Sequence, residues 1–164
     1  MPPHPTHRLN AWLVPSDPER EPGNALTAGL ATLQAERGET SQRWGHDLLP
    51  GGWLGVRLDQ PAAPHLYGNK QGGFQVRCPG CQTPVAREVP EVLARWRRGE
   101  GRQMSCPSCR ETVALEALSY RPPAAPAGFA IELRDVHSLA LSSLGQERFE
   151  RLLGGPFHVI GSRG

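Results

Sequence analysis

Apolar and polar residues alternate in four segments of the chain, which is the pattern of half-buried β-strands. These segments are Leu9–Val14, Trp53–Asp59, Phe129–Arg134 and Phe157–Ile160. In the first two segments, the apolar residues on one face are Leu9, Ala11, Leu13, Leu54, Val56 and Leu58. We therefore expect strands that turn one apolar face toward a common core.

Two further segments have the three- to four-residue apolar spacing of amphipathic helices. In the first, Asn24 is a candidate N-cap and Gly38 a stop. In the second, Ser143 and Gln146 have the spacing of a capping box, and Gly154 ends the pattern. The apolar stripes consist of Leu26, Leu30 and Leu33 in the first segment and of Phe149, Leu152 and Leu153 in the second. Each half of the chain thus predicts a strand, a helix and a strand.

The resulting βαββαβ order is that of a ferredoxin-like two-layer sandwich. The predicted fold class is α+β, because the 19 glycines and 17 prolines are too frequent for a bundle of long helices. Residues 1–69 form the first βαβ half, residues 122–164 the second, and residues 70–121 an insertion between the second and third strands. Since Arg121–Gly128 is rich in proline, it predicts a stiff linker. We expect the insertion to extend from the sheet as a finger that can tilt.

The four cysteines of the chain all lie in the insertion, in two matched pairs. Cys78 and Cys81 form the first Cys-x-x-Cys pair, Cys106 and Cys109 the second, and 24 residues separate them. Two residues between thiolates allow one tight turn to direct both sulfurs at one ion, and two such turns complete the tetrahedron that Zn²⁺ accepts. The spacing therefore predicts one zinc ion held by four cysteines.

With Pro79 and Pro107 inside the pairs, this part of the chain resembles a zinc ribbon, in which two Cys-Pro-x-Cys knuckles at the tips of short hairpins clasp one zinc. The resemblance covers residues 74–118 and implies a structural metal. The flanking segments 73–77 and 112–115 have the residues of short strands. Knuckles of this family often carry glycine directly after the second cysteine, whereas this chain has Gln82 and Arg110 there.

Two other interpretations of the cysteines are a dithiol redox centre and a pair of disulfides. A redox centre needs one exposed pair at a helix start, whereas here strand-like residues follow each pair. Disulfides require an oxidising compartment, and the beginning of the chain does not have the layout of a secretory signal. A site closed by four cysteines leaves no open position for water or substrate, so we expect the metal to stabilise folding and not to catalyse.

A short helix with an aromatic residue and several arginines is predicted in the spacer, over residues 90–98. Pro90 and Glu91 suit its first turn, and Gly99 suits its end. Val92 and Trp96 share one face, which suits packing in a core. The candidate contacts to a partner or a nucleic acid are Arg95, Trp96, Arg97, Arg98 and Arg102. The formal charge is only +2 overall, but it is +4 between Lys70 and Arg121.

The sequence contains no phosphate-binding glycine loop, GxSxG elbow or HExxH motif, so we assign no catalytic residue. A general base at His46, beside Asp47, is a third hypothesis, but a plain turn explains these residues better. No apolar run approaches the roughly 20 residues of a membrane helix. We expect a small cytoplasmic, non-enzymatic protein whose zinc ribbon binds another protein, as an adaptor or an inhibitor of the immunity type. Nucleic-acid binding through the spacer helix is the alternative.

Overall fold

A computed structural model describes residues 8–35, 43–69 and 74–163 of the chain. This part of the chain is mixed α/β, with antiparallel sheets and three α-helices. In chain order the elements are β1 (Leu9–Pro15), α1 (Asn24–Ala35), β2 (Gly55–Asp59), β3 (His65–Gly68), β4 (Gln75–Arg77), α2 (Val89–Arg97), β5 (Gln103–Ser105), β6 (Thr112–Ala114), β7 (Ser119–Arg121), β8 (Ala124–Ala127), β9 (Ala130–Arg134), α3 (Ser143–Leu153) and β10 (Phe157–Arg163). A short 3₁₀ turn, Leu115–Ala117, lies between β6 and β7.

A four-stranded sheet contains the four predicted strands, in the spatial order β10, β1, β9, β2. Every neighbouring pair is antiparallel, and β1 pairs with β10 over seven residues. The strand predicted from Trp53 begins two residues later, because Trp53 pairs with Trp44 outside the sheet and its ring lies fully buried in the core. The prediction of four core strands is confirmed, with bounds that differ by a few residues.

Helices α1 and α3 cover one face of this sheet, as their apolar stripes predict. The buried residues of this first core are Ala11, Leu13, Leu26, Leu30, Leu33, Leu48, Leu49, Trp53, Val56, Phe129, Ile131, Leu133, Val136, Phe149, Leu153 and Phe157. The cap of α3 is Ser142 and not Ser143, because the Ser142 Oγ accepts a hydrogen bond from the Gly145 N–H at 3.0 Å. The predicted stop of α1 at Gly38 lies outside the described residues.

The opposite face of the sheet is partly covered by a two-stranded ribbon that the sequence did not predict. Strands β3 and β8 pair antiparallel, and they pack on β1 and β10 through Tyr67, Ala125 and Ala127. The prediction of a stiff linker over residues 121–128 is therefore wrong, since β8 lies within it. Its sequence Ala-Ala-Pro-Ala has no alternation of apolar and polar residues, so only pairing with β3 defines it as a strand.

The region between β3 and β8 has a core of its own. Helix α2 and the small ribbons β4–β7 and β5–β6 enclose it, and they form a unit that we call the cysteine module (residues 74–121). The buried residues of this second core are Leu66, Val76, Cys78, Val85, Val89, Val92, Trp96, Met104, Cys106, Val113, Leu115 and Leu118. Because Leu66 belongs to β3, this second core is continuous with the ribbon that lies on the sheet.

Of the three α-helices in the described ranges, none combines the length and the apolar character that crossing a bilayer requires.

Candidate metal centre

Each pair of cysteines lies on a tight turn closed by backbone hydrogen bonds. In the first turn, the Cys78 N–H donates to the Thr83 carbonyl at 3.0 Å and the Gln82 N–H donates to the Cys78 carbonyl at 2.9 Å. The second turn, from Cys106, has the same two bonds, each at 2.9 Å. Strand β4 leads into the first turn, while β5 and β6 flank the second. Two equivalent knuckles therefore present two sulfurs each.

The four sulfurs are arranged as the ligands of one tetrahedral ion. All four Sγ atoms lie within 4.8 Å of one another. Cys78 and Cys109 are 3.8 Å apart at Sγ, and Cys81 and Cys106 are 3.6 Å apart. A tetrahedron with Zn–S bonds of about 2.3 Å has S···S edges of about 3.8 Å. The four thiols are free, so the cluster fits a metal ion and is not a pair of disulfides.

The site lies at the edge of the second core, with an inner and an outer pair of ligands. Cys78 and Cys106, the first cysteine of each knuckle, are buried. Cys81 is half-buried and Cys109 is exposed. The inner sulfurs thus connect the knuckles to the apolar core, whereas the outer ones face solvent. Metal binding at such a site is coupled to folding of the module.

Thr83 is a site residue that the sequence analysis did not identify. Its Oγ1 lies 3.2 Å from the Cys81 Sγ. This side-chain hydrogen bond, together with a second one from the Thr83 backbone, lowers the pKa of the Cys81 thiol to about 6. Sulfur binds a metal as the thiolate, so Thr83 favours the binding form of its neighbour. Its position two residues after the second cysteine of the knuckle is the only sequence feature that marks it.

Both knuckles place a residue other than glycine in the left-handed region of the backbone. Gln82 has φ of 63° and Arg110 has φ of 64°. At these two positions, directly after the second cysteine of each pair, zinc-ribbon knuckles often have glycine, as noted in the sequence analysis. In an L-residue this conformation brings Cβ close to the following carbonyl oxygen, which costs about 1–2 kcal/mol per residue. The knuckle geometry is therefore kept without glycine, at an energetic cost.

Trp96, one of the predicted contact residues, belongs to the second core. Its side chain is 6% exposed, and its Nε1–H donates to Glu19 Oε1 at 3.0 Å. Its ring is therefore not available to stack on a base. The predicted helix is confirmed over Val89–Arg97, and it ends before Gly99, which has φ of 77°.

The four predicted contact arginines each have a partner within the protein. Arg95 and Arg97 donate to the carbonyls of Gln103 and Pro64, at 3.0 and 2.9 Å. Arg98 forms an ion pair with Glu100 at 3.0 Å. Arg102 forms two hydrogen bonds with Glu116, at 2.9 and 3.0 Å, and an ion pair with Glu19 at 2.6 Å. Arg98 and Arg102 are thus neutralised by carboxylates, whereas Arg95 and Arg97 are hydrogen-bonded to neutral carbonyls.

Glu19 joins the cysteine module to the first half of the chain. It lies after β1, and one of its carboxylate oxygens accepts from both Trp96 and Arg102. The bond from Arg97 to the Pro64 carbonyl is a second contact of α2 with the first half. Together with the β3–β8 ribbon, these contacts hold the module in place. These bonds from α2 restrain the tilt that the sequence analysis expected of the insertion.

The third hypothesis, a general base at His46, gains no support from the structure. The side chains of His46 and Asp47 are exposed on a turn. The Asp47 backbone carbonyl accepts a hydrogen bond from the Ser142 Oγ at 2.6 Å, which ties this turn to the cap of α3. The backbone of Asp47 therefore has a structural role in this turn.

Comparison of the chain with protein-family models, with curated proteins and with solved structures finds no match.

Proposed function

We propose that the four cysteines bind one structural zinc ion and that the cysteine module is a zinc ribbon. The observation that carries this proposal is the tetrahedral spacing of the four sulfurs. Thiolate ligands favour Zn²⁺ or iron, and the Cys₄ set with two equivalent knuckles is typical of structural zinc. Four sulfurs fill the coordination sphere, so the ion stabilises the module and takes no part in a reaction.

The platform that carries the module is, in this proposal, a ferredoxin-like sandwich. Supporting this, the first, second, third and fourth platform strands are β1, β2, β9 and β10, and their spatial order is fourth, first, third, second. All neighbours are antiparallel, and the helices α1 and α3 contribute to the core on one face. This is the arrangement of two split βαβ units.

The function that these features favour is a non-enzymatic, cytoplasmic protein whose zinc ribbon binds another protein. A rigid module supports this function, because a surface that is already ordered loses little conformational entropy on binding. The bonds of Glu19 and the β3–β8 ribbon supply that rigidity. The closed metal site and the exposed His46 and Asp47 both argue against a hydrolytic enzyme.

Zinc binding is tested with purified protein in which the thiols are titrated with a mercurial reagent. We expect release of about one zinc per chain. In Cys106→Ser the zinc should be lost and the thermal midpoint should fall, because a buried ligand is replaced by a hydroxyl. Ser108→Ala is the matched control in the same knuckle and should retain both. Metal-free wild-type protein with an unchanged thermal midpoint would contradict the proposal.

The role of Thr83 is tested by Thr83→Val, which keeps the shape of the side chain and removes the hydroxyl. We expect zinc affinity to fall by about tenfold, the lower end of the effect of lost outer-shell hydrogen bonds. Competition with a zinc-binding dye measures the affinity. Thr112→Val, an exposed change on β6, serves as the control. Equal affinities of the two variants would show that the hydrogen bond to Cys81 does not assist the metal.

The interaction function is tested by purifying the tagged full chain with its cellular partner. A partner that binds the module should be retained by wild type and by Ser108→Ala and lost with Cys106→Ser. Retention by all three proteins would place the contact elsewhere and remove the module from the proposed function.

A further inference from the structure

The outer face of the β4–β7 ribbon consists only of polar residues. Residues directly opposite in an antiparallel pair share a face, and here Gln75 lies opposite Arg121 while Arg77 lies opposite Ser119. The alternate residues of the two strands, Val76 and Tyr120, face the second core. The four outward side chains are all exposed. The ribbon therefore presents two guanidinium groups diagonally across its outer face.

These side chains line a groove that Gln82 of the first knuckle completes. The groove has a volume of about 280 Å³, and its lining residues are Gln75, Arg77, Gln82, Ser119 and Arg121. The lining consists of guanidinium groups, amides and a hydroxyl, all of which are hydrogen-bond donors. No carboxylate contributes to it. Such a lining favours an anion over a cation or an apolar ligand.

The two arginines of the groove differ in their partners from Arg98 and Arg102, which follow α2 in the chain. Arg98 and Arg102 are paired with carboxylates. Across the described ranges of the chain, no ion pair joins a carboxylate to Arg77 or to Arg121. Their charges are therefore not neutralised by an ion pair within the described residues, and two such guanidinium groups make the groove positive.

The first knuckle orients one of these arginines. The Arg77 Nη1 donates to the Gln82 carbonyl at 3.0 Å, which fixes one end of the guanidinium beside a second lining residue of the groove. Gln82 itself has φ of 63°, a conformation that glycine would adopt more easily. A glycine there would have no amide in the groove. Gln82 thus has a side chain at a backbone position that would favour glycine, and it is one of the residues that line the groove.

We propose that this groove binds a phosphate group. The planar fork of arginine matches the oxygens of phosphate, and two forks with neighbouring amide donors can surround one such group. No aromatic ring lies among the lining residues, so the groove recognises the phosphate and not a base. This inference depends on the proposed zinc-folded knuckle, because the first knuckle positions Gln82 and, through it, Arg77.

The test uses ¹⁵N-labelled full-length protein whose zinc content has been measured on the same sample. Addition of inorganic phosphate should shift the Nε–Hε resonances of Arg77 and Arg121 and leave that of Arg98 unchanged. Sulfate, a second tetrahedral oxyanion, should shift them in the same direction. If the sample holds one zinc and the Arg77 and Arg121 resonances do not move, the groove is not a phosphate site although the zinc proposal stands.

A second arm distinguishes a free phosphate from the phosphodiester of a nucleic acid. Anisotropy of a labelled 12-nucleotide single strand is measured at several salt concentrations. For a nucleic-acid source, Arg121→Gln should weaken binding several-fold and reduce the salt slope by about one, as for one lost phosphate contact. Arg98→Gln, with the same charge change at the residue that follows α2, should have no effect. Phosphate shifts without strand binding assign the groove to small phosphate compounds.

Equal weakening of strand binding by Arg121→Gln and Arg98→Gln would overturn the proposal, because it would show an effect of overall charge and not of this groove. Gln82→Gly provides an independent check. It keeps the knuckle backbone and removes an amide from the groove, so it should reduce the phosphate-induced shifts without loss of zinc. Undiminished shifts in this variant would exclude Gln82 from the site and contradict the geometry described above.

Discussion

Replacing Gln82 by glycine should stabilise the zinc-loaded protein. In most proteins a change to glycine destabilises, because glycine gains freedom in the unfolded chain. Here the native φ of 63° is one that glycine adopts without strain. The sign of the effect therefore depends on which of two opposing terms is larger.

The magnitude follows from those two terms. Relief of the left-handed strain contributes about 1–2 kcal/mol in favour of the folded state. The additional freedom of glycine in the unfolded chain costs about 0.4–1 kcal/mol. The side chain of Gln82 makes only a long hydrogen bond to the Pro79 carbonyl, at 3.4 Å on the surface, so its loss costs little. The expected net gain is about 0.5–1 kcal/mol, or roughly 1–4 °C in the thermal midpoint for a chain of this size.

The assay is urea unfolding of zinc-saturated protein, followed by thermal unfolding. Gln82→Ala is the matched control, because alanine keeps the Cβ and hence the strain. Arg110→Gly should behave like Gln82→Gly, since its φ is 64°. The reasoning would be refuted if the glycine variants were no more stable than the corresponding alanine variants.

Two further predictions concern contacts outside the knuckles. Gly145→Ala should lower the free energy of unfolding by about 1–3 kcal/mol in chemical denaturation, although alanine normally favours a helix, because the added Cβ would lie 2.1 Å from the Leu48 carbonyl oxygen. The control is Gly128→Ala, which should be nearly neutral because nothing lies within 4 Å of the added Cβ. Equal effects of the two variants would contradict the close approach at Gly145. Glu19→Ala should lower the free energy of unfolding by about 1–2 kcal/mol in the same measurement, because it leaves the buried indole N–H of Trp96 without its acceptor. The control is Glu21→Ala, which changes an exposed neighbour. If the two variants are equally stable, Glu19 does not stabilise the position of the module.

The two cysteine knuckles could be predicted from the sequence because the geometry of each is local. Cys78 and Cys81 belong to one turn, and the backbone bonds that close this turn span only a few residues. Glycine is not needed at Gln82, because the turn tolerates the strain of a side chain. The amphipathic helices were predictable for a similar reason, since one apolar stripe is enough to define the buried face of α1 or α3.

Some strands could not be predicted because their own residues carry no distinctive pattern. Strand β8 has the sequence Ala-Ala-Pro-Ala, which is equally typical of a linker. It is a strand because β3 pairs with it and because the sheet covers its alanines. Such an element depends on residues about 60 positions away in the chain, which no short window of sequence contains.

The sequence by itself determined the two cysteine pairs, the helices and the order of the platform strands along the chain, because each of these depends on residues close together along the chain. Only the tertiary structure decided what the charged residues do. Trp96 and Arg102 meet Glu19 across 77 and 83 residues, so Arg102, which looks free in the sequence, is paired with a carboxylate. Arg77 and Arg121 are brought together by strand pairing, without a carboxylate beside them. Charge neutralisation depends on distance in space, and spacing along the chain does not report it.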